Sequence, residues 1–282
     1  MRRERYDVTM TERVEAGIAV DYNPRAPPSE MAAPVHVLTP EYYDRLAALE
    51  QAHWWWRGVR RVTQRVLRDR SRLGRVLDAG CGTGAMLAWA ERDLRARAVG
   101  LDFSADALRF CRARTRAGLL QGDATALPAT AASFDLVLSL DVLQHLPRPG
   151  GDARALAEIA RVLAPGGRLL LRTNSACGYP PVDAPDYHRY ALAEVRGLVE
   201  GAGLICQRAT YVNMAPALAL TLVRRLKGTT PTSDPGLPPL PERQGLAAAI
   251  GMTWLTLESE FIRHVPIALP FGHSIVALAR KP

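Results

Sequence analysis

Apolar and polar positions change rhythm several times along this chain. Up to residue 40 there is little periodicity and there are several prolines (Pro24, Pro27, Pro28 and Pro34 among them), which predicts a mobile arm. From 41 to 70, Leu46, Leu49, Val62, Val66 and Leu67 recur at helical spacing, interrupted by His53-Trp54-Trp55-Trp56-Arg57. Short apolar runs then alternate with helical stretches. The runs at 75–79, 98–101, 119–121, 136–140 and 168–172 read as strands. The stretch 152–163 reads as a helix with Leu156, Ile159, Ala160 and Leu163 on one face, Asp152 as its N-cap and Pro165-Gly166-Gly167 after its end. Such alternation needs crossover connections and therefore a parallel sheet, an α/β fold of Rossmann-like type.

A helix at 192–202 leads into a run at 204–211, where the alternation stops. A short helix is expected at 216–227, then a loop bearing Pro231, Pro235, Pro238, Pro239 and Pro241. Leu246, Ile250, Trp254, Leu257 and Phe261 mark a further helix, and 273–279 a last strand. The expected division is an arm (1–40), a helical lid (41–70), a core (71–211), a helical insertion holding acceptor or dimer contacts (212–272) and a final core strand (273–282). An insertion of about 60 residues is long for a connection, and such lengths are often functional.

The sharpest local signal is Val76-Leu77-Asp78-Ala79-Gly80-Cys81-Gly82-Thr83-Gly84. A strand runs into alternating glycines and then into a helix, so the backbone turns sharply and leaves room for a ligand. Gly80, Gly82 and Ala85 also fit the dinucleotide fingerprint. A pyrophosphate at a helix N-terminus wants positive potential, however, and Asp78 supplies the opposite. That carboxylate suits a ligand with an ammonium and a sulfonium and no phosphate, as in S-adenosylmethionine. Asp102 ends the second strand, where it can accept from two ribose hydroxyls. Asp123 follows the third, where it can accept from an adenine amino group while the Ala124 N–H donates to a ring nitrogen. For both aspartates the alternative is a plain N-cap or turn.

With these residues in view, VLDAGCGTG, VGLDFS, QGDATALP, SFDLVLSLDVLQHL and RVLAPGGRLLL resemble the class I S-adenosylmethionine-dependent methyltransferases over 75–171. HWWWRGVRR, HRYALAEVRGLVEGAGL, TYVNMAPAL and LPFGHSIVALARK are similar to a narrower bacterial small-molecule subgroup, which extends the resemblance to 42–281. The resemblance implies a seven-stranded sheet whose last strand is antiparallel. It adds Cys81, Phe103 and Leu140 to the cofactor-contacting positions.

The acceptor is expected above the ends of the fourth and fifth strands. His145 is a candidate general base, with a packing role as its alternative, and Asp141 with Gln144 reads as a helix-capping pair. His188 and Tyr187 are second base candidates, with a surface loop without a role as their alternative. Trp56 and Arg57 either wall the cofactor, with Arg57 pairing its carboxylate, or simply pack a helix. Leu218, Leu220, Leu222 and Val223, ahead of Arg224, Arg225 and Lys227, allow a membrane-grazing helix but fit packing better.

Composition narrows this reading. Of 282 residues 48% are hydrophobic and 23% charged, ordinary for a globular enzyme. The net charge is +8, yet Lys227 and Lys281 are the only lysines and the arginines are dispersed, so no nucleic-acid partner is expected. Cys81, Cys111, Cys177 and Cys206 stand far apart in sequence, indicating neither a zinc site nor a disulfide framework. A cytoplasmic, metal-free enzyme is expected, monomeric or homodimeric, methylating O, N or C of a small molecule in secondary metabolism. The rivals are an enzyme that reuses the pocket for a non-methyl reaction such as a cyclisation, and a nicotinamide-dependent oxidoreductase.

Overall fold

Strands form where the apolar runs are, and they join into one sheet. The computed structural model describes residues 39–67, 70–71, 73–177, 188–215, 217–218, 221–222 and 245–282. Its strands are β1 (Arg75–Ala79), β2 (Arg97–Asp102), β3 (Gly118–Gln121), β4 (Phe134–Leu140), β5 (Leu163–Asn174), β6 (Ile205–Val212) and β7 (Ser274–Arg280). They lie in the order β3-β2-β1-β4-β5-β7-β6. Strands β1 to β5 pair in parallel, whereas β7 runs antiparallel to both β5 and β6. The helices are α1 (Pro40–Ala52), α2 (Trp54–Val66), α3 (Ala85–Asp93), α4 (Ala105–Arg112), α5 (Gly151–Val162), α6 (Leu192–Gly201) and α7 (Leu246–His264).

Side-chain alternation splits the core into two layers. Leu77, Val99, Val137, Leu169 and Leu171 point to one face, where Leu156 and Ile159 of α5 and Val195 and Val199 of α6 cover them. Val76, Ala98, Leu136, Leu138 and Leu170 point to the other, under Val62 and Val66 of α2, Leu87 of α3, Leu108 of α4 and Leu255 and Ile262 of α7. Both faces of the parallel strands are thus shielded, which is why these strands are continuously apolar.

Several local expectations change. The helical stretch at 41–70 is two helices, broken at His53, whose extended backbone and Nδ1 cap α2 by accepting from the Trp55 N–H. The tryptophans therefore form the first turn of α2 and not the interruption. Helix α5 is capped by Gly150 in the left-handed conformation; Asp152 sits in its first turn and accepts from the Ala153 N–H and the Tyr190 hydroxyl. Pro165-Gly166-Gly167 belongs to β5, held by the Gly166 N–H to the Lys281 carbonyl at 3.1 Å and the Lys281 N–H to the Gly167 carbonyl at 2.8 Å.

Helix α7 departs most from its sequence pattern. Leu246, Ile250, Trp254, Leu257 and Phe261 lie on its outer side, 42–78% exposed. Leu255, Ser259 and Ile262 make the buried side, and Glu258 there accepts from the backbone N–H groups of Asn213 and Met214. Glycines set how closely α7 meets α2. A Cβ at Gly58 would fall 2.2 Å from Leu255, and one at Gly251 would fall 2.5 Å from the Trp54 ring.

The expected arm (1–40) lies almost wholly outside the described residues, as does most of the helix expected at 216–227. Met214, Ala215, Ala217, Leu218, Thr221 and Leu222 are helical. Among the described residues no helix is long and apolar enough to cross a membrane.

Tyr190 offers a test of this packing. Its ring is fully buried, and its hydroxyl lies 3.0 Å from the Leu143 carbonyl and 3.2 Å from the Asp152 carboxylate. Tyr190→Phe strands those acceptors and is expected to cost about 1–3 kcal/mol in urea denaturation. A loss below a few tenths would show that the acceptors are satisfied otherwise.

Candidate active site

The turn after β1 is fastened before any ligand is considered. The N–H groups of Gly80 and Cys81 both donate to the Leu101 carbonyl on β2, at 2.7 and 2.9 Å. Gly80 has φ +91°, and a Cβ there would meet Val142 at 2.2 Å, so glycine is required on both counts. Gly82, at φ +52°, would meet nothing within 4 Å. Its N–H donates to Asp102 Oδ2 at 2.8 Å, while the Ser104 N–H donates to Oδ1 at 2.9 Å. The result is a bare, open backbone edge between two strand ends.

Acidic groups dominate that edge. Asp78, 2% exposed on β1, has its carboxyl pushed up to about 8, first by burial, then by the charges of Asp102 and Glu50, with Arg172 opposing. Burial also raises Asp102, but the N–H groups of Ser104, Gly82 and Phe103 hold it back. Arg172 projects from the end of β5. Its guanidinium grips Asp141 through Nε, at 3.1 and 3.2 Å, and through Nη2 at 2.5 Å, while Nη1 reaches Thr63 on α2 at 3.0 Å. Burial works against that charge, yet Asp141, Glu50 and Asp78 keep the Arg172 pKa above its ordinary value.

Helix α1 lies over this edge. Arg114, just past α4, donates to Glu50 at 2.5 Å, to the Ala47 carbonyl at 2.7 Å and to Thr83 of the glycine turn at 3.0 Å through its hydroxyl. The Thr83 hydroxyl itself donates to Glu50. At the other end of α1, Tyr43 is buried beside Asp102 and shares a hydrogen bond with Ser104. One helix is thus clasped to the turns after both β1 and β2.

A family model described as a methyltransferase domain matches residues 77–171, which run from Asp78 and the glycine turn to the end of the apolar run in β5. Residues 77–171 are thus similar to methyltransferase domains. Among curated relatives, the fatty-acid O-methyltransferase of Mycolicibacterium smegmatis is 41% identical over 43% of this chain and 42% of its own length. The demethylmenaquinone methyltransferase of Lactiplantibacillus plantarum is 38% identical over 37% of this chain and 47% of its own. The chain thus spans less than half the length of these two relatives. Among solved structures, phosphoethanolamine N-methyltransferase 2 of Haemonchus contortus, in complex with S-adenosyl-L-methionine, superposes with a TM-score of 0.56 over 88% of this chain and 58% of that one. At 19% identity that likeness is one of fold.

Within the matched segment 77–171 the residues singled out from sequence fall into groups. Asp78, Gly80, Cys81, Gly82, Gly84 and Asp102 converge on one edge, with Phe103 following. Asp123 accepts from the Thr125 N–H at 2.8 Å, and the preceding Gly122 N–H donates to the Asp102 carbonyl at 3.0 Å, so the third strand's aspartate joins the same row. Ala124 beside it is buried. Leu140 is half-buried next to Asp141 at the end of β4. Cys81 and Cys111, distant in sequence, have thiols 3.6 Å apart, and the Cys111 thiol donates to the Gly82 carbonyl at 3.1 Å; both are free.

The acceptor-side candidates are more scattered. His145 is half-buried on a single 3-10 turn, Leu143–His145. Gln144 does not pair with Asp141 as a cap: its Oε1 accepts from Thr173 Oγ1 at 2.9 Å and the Asn174 N–H at 3.2 Å, because Arg172 already claims Asp141. The His188 N–H donates to the Gln144 carbonyl, which brings it near His145, but its Nε2 lies 3.0 Å from Glu194 and its ring stands edge-on to Tyr190. Tyr187 lies outside the described residues. Trp54 packs on Gly251 and Trp55 on His273, whereas Trp56 is half-buried against His53. Arg57 is exposed. Sequence reasoning missed Glu50, Arg114 and Arg172. Only Arg172 leaves a local signal, a charge ending the apolar run of β5.

The elevated Asp78 pKa carries a pH signature. A cationic ligand requires the carboxylate, so below pH 8 binding of S-adenosylmethionine should release a proton, and affinity should rise with pH and level off above about 8. Calorimetry in two buffers of different ionisation heat checks this; equal heats at pH 7 would contradict it. Folding has the opposite sign: the stabilising share of Asp78 is full below pH 4 and lost as pH rises through about 8. Asp78→Asn should therefore melt higher than the parent at pH 9 and alike at pH 4.

Proposed function

We propose that this chain transfers a methyl group from S-adenosylmethionine to O, N or C of a small-molecule acceptor in secondary metabolism. The observation that carries the proposal is the buried carboxyl of Asp78 behind the open backbone edge at Gly82. The donor set there fits the cofactor: carboxylates for an ammonium and hydroxyls, bare backbone for close approach, and, at the turn's nearest cation, an Arg114 already paired with Glu50 rather than free for a pyrophosphate. When bound, S-adenosylmethionine supplies a methyl carbon on a positively charged sulfur.

In this reading Asp78 and the turn from Gly80 to Gly84 hold the amino-acid end, Asp102 with Phe103 the ribose, and Asp123 with Ala124 the adenine. Leu140, Trp56 and Arg57 complete the wall. Methyl displacement is in-line, so the chain's main task is positioning. A base is needed only where the acceptor must lose a proton, and His145 is the better placed candidate because Glu194 occupies the Nε2 of His188. The acceptors named by the curated relatives, a fatty acid and demethylmenaquinone, suggest a small and largely apolar acceptor.

Asp102→Ala should weaken S-adenosylhomocysteine binding by about 10- to 100-fold, since hydrogen bonds to a charged group are worth roughly 1.5–3 kcal/mol. Binding of NADH with no heat from S-adenosylhomocysteine would overturn the cofactor assignment. Methyl-labelled cofactor then tests the chemistry: product formed without label would favour the pocket-reusing cyclase. An unchanged cofactor affinity in Arg57→Ala would remove that residue from the site. His145→Gln should lower kcat with KM held if His145 is the base.

A further inference from the structure

The outer side of α7 carries the chemistry of an interior. Leu246, Ile250, Trp254, Leu257 and Phe261 form one continuous stripe along the helix, all 42% or more exposed. The other side is already buried on α2 through Leu255, Ser259 and Ile262. A helix apolar on both sides belongs between two layers of protein, not at the edge of one.

Three observations select what covers it. The stripe reads nearly the same in both directions: Leu246 and Phe261 stand equally far from its midpoint, as do Ile250 and Leu257, and Trp254 lies beside the midpoint. Two antiparallel copies about a two-fold axis therefore set large apolar groups against one another along the whole helix. The area is sufficient, because burying the exposed parts of these side chains on two copies removes on the order of 1,200 Å², above the roughly 1,000 Å² that a specific interface needs. The rim is polar and bonded within the chain: Arg65 and His264 lie 3.0 and 3.6 Å from Glu260, and Arg61 donates to Thr256 at 2.9 Å. Such a polar border around an apolar centre is the anatomy of a protein interface. Trp254 is also hydrogen-bonded through its side chain to Glu258, so its ring can be covered without stranding the indole N–H.

We propose that α7 docks antiparallel on α7 of a second copy of this chain, making a homodimer with Trp254 beside the two-fold axis. The pairing is independent of methyl transfer. It braces α2 from behind, through the Gly58–Leu255 and Gly251–Trp54 contacts.

Sedimentation velocity on the full chain at tens of micromolar tests the proposal. The expected mass is twice that of the 30.8 kDa chain. The double variant Ile250→Glu/Leu257→Glu should sediment as a monomer with an unchanged circular dichroism spectrum, since both positions face outward. Should that variant fail to fold, Trp254→Cys gives a second readout: mild oxidation should produce a disulfide-linked dimer that the parent chain does not form. A monomeric parent, a dimer that persists in the folded double variant, or a dimer in which Trp254→Cys does not cross-link would overturn the proposal. A monomer that floats with anionic vesicles would overturn it too, and assign the stripe to a membrane surface.

Discussion

A carboxyl group enclosed in an apolar sheet holds its proton up to about pH 8 unless positive charge comes to it, and the site is arranged around that constraint. Asp78 lies at the end of central strand β1, with Asp102 and Glu50 adding negative potential and Arg172 returning only part of it. Arg172 is itself gripped by Asp141. The cations beside the glycine turn, Arg114 and Arg172, are each paired with a carboxylate, Glu50 and Asp141, and the turn offers bare backbone beside acidic groups. Sheet packing makes the constraint severe, because both faces of β1 are covered and little water reaches the carboxyl.

The second constraint is the clasp made by Arg114. Its guanidinium joins α1, α4 and the glycine turn in a single hydrogen-bonded group. A helix that precedes the sheet in sequence thereby becomes the roof over the strand ends, with Tyr43 and Glu50 anchoring it at two places. The side chains at the strand ends and those of the helix above them belong to one connected network.

Much of the sheet was legible because the apolar runs are short and lie between helical stretches. The glycine turn was legible because its backbone demands specific residues at adjacent positions. What escaped the sequence has physical causes. Glu50 and Arg114 belong to different helices and leave no local pattern. The strand β5 extends back through Pro165-Gly166-Gly167 because Lys281, just past β7, supplies partners for a segment that looks like a loop on its own. Gly150 replaced Asp152 as a cap because a left-handed residue ends the preceding turn and frees the aspartate for Tyr190. On α7 the periodicity marked a helix correctly but left open which side is buried, since an apolar stripe does not reveal which layer it meets.

The facing glycines of α2 and α7 have an evolutionary consequence. Each receives a large side chain from the opposite helix, so the two contacts act like a pair of pegs in sockets and admit a single register. Positions 58 and 255 can drift only together, and so can 251 and 54. Related sequences that fill one socket are expected to have trimmed its peg, so covariation at these four sites records a contact that hydrophobic patterning alone leaves invisible.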